Sequence, residues 1–171
     1  SNDVNDVSSW YKEIFKQVVN SSDIKDTLVT YENMLSHRTI MNFPKDASLK
    51  TVLSSPDALI RNAIKADTVF FDSFALTLLS MDEVALIKKF AKDLNVEVWF
   101  AVSPVRQEAV VDEYGVPNTL QPYEKDIDVL VGLKTDENSK KVKMTVIKTP
   151  HSNDRKIMSV MLNPATMLIE E

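Results

Sequence analysis

The sequence is poor in glycine, because only Gly115 and Gly132 occur among its 171 residues. Average usage would give roughly 12 glycines in a chain of this length. A phosphate-binding loop or a dinucleotide-binding turn needs clustered glycines so that the backbone can approach phosphate, and these two lie far apart. A standard loop of either kind is therefore excluded.

Cysteine is absent, and histidine is limited to His37 and His151. Disulfides, thiol nucleophiles and cysteine metal sites are thereby excluded, and a site with several histidine ligands is not expected. The lack of cysteine fits a reducing compartment. No apolar run reaches the ~18 residues of a membrane span, and the chain as given does not open with a signal-peptide pattern. We therefore expect a cytoplasmic protein that does not associate with membranes.

Positive charge is also in short supply, since 20 lysines and arginines stand against 25 aspartates and glutamates, for a net charge of −5. This balance disfavours a broad nucleic-acid surface. A basic group at Lys140, Lys141 and Lys143 leaves contact with nucleic acid or an acidic partner open, although lysines at a hairpin more often protect a solvated sheet edge. Length and a hydrophobic fraction of 44% predict a single globular domain over residues 1–171.

The first part of the chain alternates helix-like and strand-like segments. Amphipathic spacing predicts a first helix over about residues 9–19, with Trp10 on its apolar face. Ser55-Pro56 is typical of a helix start, and Ser80 and Glu83 form a capping box that opens another helix. Short runs rich in β-branched and aromatic residues predict four strands, at residues 27–31, 39–43, 68–71 and 96–102.

The last part of the chain changes character. Three strand-like runs, at residues 128–134, 141–148 and 156–162, are joined by short polar turns. Such connections are typical of antiparallel hairpins. The order of elements therefore predicts an α/β fold, a three-layer sandwich with a mostly parallel sheet and antiparallel C-terminal hairpins.

Ligands of an open parallel sheet bind at the carboxyl ends of its strands. The polar residues at those predicted ends are Glu32, Asp72 with Ser73, and Ser103. Each could serve a site, although turn capping is the ordinary role of such residues. A hydrolytic triad of Ser73 and His151 with an aspartate is not expected, because no nucleophile elbow frames the serine.

Five segments occur in an order known from one superfamily. They read TYENM at residues 30–34, DTVFFDS at 67–73, NVEVWFAVS at 95–103, DIDVLV at 126–131 and VKMTVIKTPH at 142–151. This order resembles that of the RecA-like P-loop ATPases of the DnaB and KaiC type over roughly residues 8–170. The resemblance implies a RecA-like three-layer sandwich that lacks its first strand.

The resemblance also implies a role for each matching residue. Glu32 would activate water, and Lys148 would act as a catalytic finger towards a neighbouring subunit. Ser8 and Asp72 would bind the nucleotide with its Mg²⁺, with Asp72 as the metal ligand, and Ser103 would sense the bound nucleotide.

The chain departs from this superfamily at the phosphate loop. Residues 1–8 read SNDVNDVS, with Asp6 and Val7 where the second glycine and the lysine would stand. A phosphate ~4 Å from an aspartate would meet a repulsion of roughly 1–4 kcal/mol per charge pair. Pro104 replaces the sensor glutamine, and Pro150 replaces the arginine of the finger. We therefore expect a degenerate, non-hydrolysing domain without cofactor that acts through protein association or self-assembly.

Two alternatives stay open. One is an active DnaB-like or KaiC-like protein of DNA metabolism or regulation, which binds ATP and Mg²⁺ through an unconventional or truncated phosphate loop. The other is an unrelated three-layer α/β binding module. In that module, the strand before Asp72 would not neighbour the strand before Ser103 across a crossing helix.

Overall fold

The computed structural model describes residues 4–44, 46–72, 79–102, 111–112, 116–136, 138–150, 158–166 and 168–170. The chain divides into two compact units. The first unit joins Ser1–Asn42 to Asp128–Glu171, and the second unit is the continuous stretch Phe43–Ile127. The expectation of one domain over residues 1–171 stays a prediction.

Helices dominate the first half of the chain and antiparallel strands its end. The described elements, in chain order, are α1 (Val4–Ser21), α2 (Thr27–Ser36), α3 (Leu49–Asn62), β1 (Thr68–Phe71), α4 (Met81–Leu94), β2 (Glu97–Phe100), a 3₁₀ helix (Asn118–Asp126), β3 (Leu130–Thr135), β4 (Val142–Lys148), β5 (Met158–Leu162) and β6 (Ile169–Glu170). Helices α1 and α2 and strands β3 to β6 belong to the first unit, and the other elements form the second.

Helices α1 and α2 pack on each other through aromatic side chains. The rings of Phe15 and Tyr31 lie with their centroids 5.0 Å apart. Helix α2 replaces the strand predicted at residues 27–31, and that prediction is wrong. Tyr31, Met34 and Leu35 recur at helical spacing and are half-buried, so the segment gains one apolar helix face that the local β-branched run did not reveal.

The N-cap of helix α3 is Ser48, seven positions before the N-cap predicted at Ser55. The Ser48 side chain caps the helix by accepting a hydrogen bond from the Thr51 amide at 3.2 Å. Pro56 consequently lies inside the helix, where it lacks the amide proton of a regular turn. Its ring is buried in the same apolar stripe as Val52, and this burial favours the proline at that position.

The second unit contains a strand–helix–strand motif and the main apolar core. Strands β1 and β2 pair in parallel, and α4 connects them. The rings of Phe71 and Phe100 stack at 5.0 Å between centroids, and the Tyr123 hydroxyl donates to the Leu79 carbonyl at 2.7 Å. The predicted neighbourhood of these two strands is confirmed. The alternative module predicted the opposite, and that expectation is wrong.

Strands β3 to β6 form an antiparallel sheet in their chain order. The hairpins predicted from the C-terminal alternation are thereby confirmed. Gly132 of β3 faces β4 closely, because a Cβ atom at this position would lie 3.2 Å from the Ile147 side chain. Alternate register positions divide the sheet into an apolar face, with Leu133 opposite Met144, and a mixed face, with Lys134 opposite Lys143 and with the buried Ile147.

The predicted RecA-like three-layer sandwich with a mostly parallel sheet is wrong. In the described part of the chain, the parallel sheet has two strands, and the antiparallel sheet of four strands is separate from it. The strands predicted at residues 27–31 and 39–43 would have widened the parallel sheet. The first segment lies in α2, and the second forms neither helix nor strand. The predicted α/β character and the C-terminal hairpins are present, but the parallel and antiparallel strands do not share one central sheet.

Candidate functional site

Ser8, the expected Mg²⁺-binding hydroxyl, lies inside a helix. Helix α1 already begins at Val4, so Ser8 belongs to its second turn and is half-buried. Only the first turn of a helix presents free amide groups to an anion. Residues 4–8 therefore form no phosphate loop, and residues 1–3 of the expected loop lie outside the described part of the chain.

Glu32, the expected catalytic base, is exposed on α2. It lines an open surface depression together with Val29, Thr30, Asn33 and Ser36. All of these residues lie on one helix, so the depression is a helix surface with a single carboxylate. Its role in catalysis stays a prediction.

The remaining predicted residues are distributed over both units. Asp72 directly follows β1 in the second unit and is exposed, whereas Lys148 ends β4 in the first unit and is half-buried. Ser103 lies outside the described residues, as do Ser73 and His151. Among the described residues, no group of three or more histidine, aspartate or glutamate side chains could hold a metal ion. The assignment of Mg²⁺ to Asp72 stays a prediction.

Shifted pKa values arise from local pairs. The hydrogen bond to Asp57 raises the pKa of Arg61, which lies one helical turn away on α3. The Ser80 amide and hydroxyl lower the pKa of Glu83 within the capping box. The same kind of local hydrogen bond lowers the pKa of Asp93 beside Lys89 and of Asp136 beside Ser139. Each shift thus has a structural cause, and none by itself indicates a catalytic centre.

The two helices of the first unit bury none of their apolar side chains fully. Neither α1 nor α2 contains a buried residue. Leu28 is 68% exposed and Val29 is 65% exposed. Of the described hydrophobic residues that are buried, only Ile147 and Leu162 belong to this unit, and the others lie in the second. The sequence indicated an apolar face on the first helix but not that Trp10 on this face would be exposed.

An aromatic–arginine cluster, formed by Trp10, Tyr11 and Arg38, lies on the α1–α2 pair. The Trp10 and Tyr11 rings meet edge to face with centroids 5.6 Å apart. The Arg38 guanidinium lies 4.0 Å from the centroid of the Tyr11 ring, in the geometry of a cation–π interaction. Trp10 is nevertheless 57% exposed. Within the described residues, the Arg38 Nη1 atom is buried and has no hydrogen-bond acceptor.

Uncovered apolar groups also occur on both sheets. In the parallel pair, Phe70 lies beside Trp99 on the face that points away from Phe71, and both side chains are exposed. On the antiparallel sheet, Leu133 and Met158 are exposed on the apolar face. Parallel sheets usually have both faces covered, so the open face around Phe70 is unusual.

In the described part of the chain, no helix combines the length and the apolar composition that crossing a membrane requires.

A search of protein-family models finds none that matches this chain, and no curated protein is significantly similar to it.

Proposed function

We propose that this chain acts through association with protein chains and does not hydrolyse ATP. The observation that carries this proposal is that neither α1 nor α2 fully buries a single residue. Helix α2 has 10 residues, and isolated helices shorter than ~12–15 residues are marginal in water. A partner that covers these helices would supply the missing burial.

The exposed side chains are of the types that dominate protein interfaces. Tryptophan, tyrosine and arginine are the most frequent interface hot spots, and Trp10, Tyr11 and Arg38 lie together on the surface of the first unit. Exposed Leu28 and Val29 lie on the same helix pair. Exposed apolar patches on a folded protein often mark binding surfaces.

The absence of hydrolysis is supported by the helix at the loop position. The amides of Val4 to Ser8 are part of α1, and Asp6 lies in its first turn. A carboxylate there already interacts favourably with the helix dipole, and it would repel a phosphate at the same place. The cytoplasm remains the proposed location, because the chain has no cysteine.

Calorimetry and phosphate-release assays test the catalytic half of the proposal. We expect no binding of Mg²⁺-ATP below millimolar concentration and no turnover, with or without DNA. Micromolar binding with turnover that Asp72→Ala abolishes would overturn the proposal in favour of an active ATPase. Asp67→Ala is the matched control, because Asp67 is an exposed carboxylate at the opposite end of the same strand.

Hydrogen exchange combined with sedimentation velocity tests the association half. In dilute monomer we expect amides of α1 and α2 to exchange much faster than those of α4, which buries Val84, Ile87 and Phe90. Protection of α1 and α2 should rise as the concentration, and with it the sedimenting mass, increases. Protection equal to that of α4 in a concentration-independent monomer would contradict the proposal.

A further inference from the structure

Helix α2 presents two different surfaces on opposite sides. Tyr31 contacts Phe15 and so defines the side of α2 that faces α1. Val29 precedes Tyr31 by two positions, which places it about 200° around the helix axis. Val29, Glu32 and Ser36 follow one another at spacings of three and four and share this outer side. The outer surface of α2 is therefore separate from the aromatic–arginine cluster.

The outer surface of α2 combines exposed apolar groups with one acid. Val29 is about two-thirds exposed, and so is Leu28, which lies at the edge of this surface one turn before the exposed Glu32. None of the described residues that line the depression around Glu32 is basic. A complementary surface would offer an apolar group of large area and one cation.

The aromatic–arginine cluster offers what the outer surface of α2 requires. Trp10 supplies a large exposed ring, and the half-buried Arg38 supplies a guanidinium that lies over the Tyr11 ring. Stacking on Tyr11 holds the guanidinium in place before any partner arrives, which reduces the entropy lost on pairing.

We propose that the cluster of one copy binds the outer α2 surface of a second copy, with Arg38 paired to Glu32 of that copy and Trp10 packed on its Leu28 and Val29. This inference rests on the proposed function and names its partner. Charge complementarity selects the second copy, because the chain carries the required carboxylate beside the required apolar side chains.

Nucleic acid fits the cluster less well. The α1–α2 pair and its connection provide no positive field, because acidic residues offset the basic ones. The acidic residues are Asp6, Glu13, Asp23, Asp26 and Glu32, and the basic residues are Lys12, Lys16, Lys25 and Arg38. A polyanion needs several cations together, whereas one carboxylate needs only the guanidinium of Arg38.

The two surfaces determine the symmetry of the assembly. Because the two surfaces lie on different sides of the helix pair, one pairing between two copies is heterologous and leaves one cluster and one outer α2 surface free at the ends. Association should therefore continue beyond a dimer, either into a ring or into an open chain. An isologous pair that stops at two copies does not have this arrangement.

Charge-exchange variants test the pairing by sedimentation velocity over micromolar to submillimolar concentration. We expect Arg38→Glu and Glu32→Arg each to weaken self-association more than about tenfold. The double variant R38E/E32R should restore it, because the pair is then reversed. Lys25→Glu and Asp23→Arg are the matched controls, since they make the same charge changes on exposed residues between the helices. Circular dichroism verifies that each variant keeps its helices.

Each outcome decides between the two proposals. Self-association that neither single variant weakens, or that the double variant fails to restore, overturns the pairing while leaving protein association as the function. A monomer at every concentration also overturns the pairing. Fluorescence anisotropy with a labelled DNA oligonucleotide tests the nucleic-acid alternative. Micromolar binding that only Arg38→Glu abolishes would overturn the pairing in favour of nucleic acid. ATP turnover would overturn the proposed function independently.

Discussion

Two neighbouring residues of α4 provide a direct test of the core of the second unit. Ile87 is 7% exposed and belongs to the apolar core, whereas Leu86 is 49% exposed. Isoleucine and leucine are isomers, so Ile87→Ala and Leu86→Ala remove the same number of methyl and methylene groups from one helix. Any difference between the two variants therefore reports burial and not the chemical size of the change.

The expected magnitudes follow from this difference in burial. At about 0.8 kcal/mol per buried CH₂ group, Ile87→Ala loses roughly 2.4 kcal/mol of transfer free energy. The cavity left in the core raises the cost, so the free energy of unfolding should fall by about 2–5 kcal/mol. Leu86→Ala loses about half of the transfer term, or roughly 1 kcal/mol, and the higher helix propensity of alanine offsets a few tenths of it.

Urea unfolding followed by tryptophan fluorescence measures both values. The chain has two tryptophans, and Trp99 lies in the second unit, so a Trp10→Phe background isolates the signal from that unit. Equal losses for the two alanine variants, or a larger loss for Leu86→Ala, would refute the assigned orientation of α4. A graded variant, Ile87→Val, should cost about 0.5–1.5 kcal/mol.

Further predictions concern caps and surface charges. Ser80→Ala removes the helix cap and should lower the free energy of unfolding by about 0.5–2 kcal/mol in the same urea assay. The capping box lowers the folded-state pKa of Glu83, so the stabilisation that Glu83 contributes is complete above the ordinary glutamate pKa and is lost as pH falls through the folded-state pKa. Glu83→Gln should therefore reduce the decrease of the melting temperature at acidic pH. Asn95 has a φ of 53° at the end of α4, so Asn95→Gly should raise the melting temperature and Asn95→Ala should lower it. Lys143 lies opposite Lys134 on the neighbouring strand. Lys143→Glu turns this like-charge pair into a pair of opposite charges and should raise the free energy of unfolding by about 0.2–1 kcal/mol, an effect that added salt reduces.

Elements with local determinants could be predicted from the sequence. The capping box of Ser80 and Glu83 is complete within one turn, and the structure forms both of its hydrogen bonds. The C-terminal hairpins follow from short-range alternation and from polar turns such as Asp136–Lys141, which the backbone closes with a hydrogen bond of 2.8 Å. Such signals depend on neighbours in the chain and need no knowledge of distant packing.

Features that depend on distant packing could not be predicted in this way. Residues 27–31 have strand-like composition, but Tyr31 packs on Phe15 of another helix, and this contact favours the helical alternative. Arg38 carried no signal in the sequence, because its role depends on the approach of Tyr11 from α1. Glu32, Asp72 and Ser103 were selected as site residues because each follows a predicted strand. Glu32 does not follow a strand, because it lies in helix α2.

The division into two units has a consequence for the order of folding. The second unit is continuous, with its core within Phe43–Ile127, so its contacts join residues of one uninterrupted stretch. The first unit joins both ends of the chain, and its segments cannot meet until the stretch between them has closed as one long loop. Prior folding of the second unit shortens that loop and lowers the entropy of closure. Collapse of the inserted core would accordingly precede the assembly of the terminal segments.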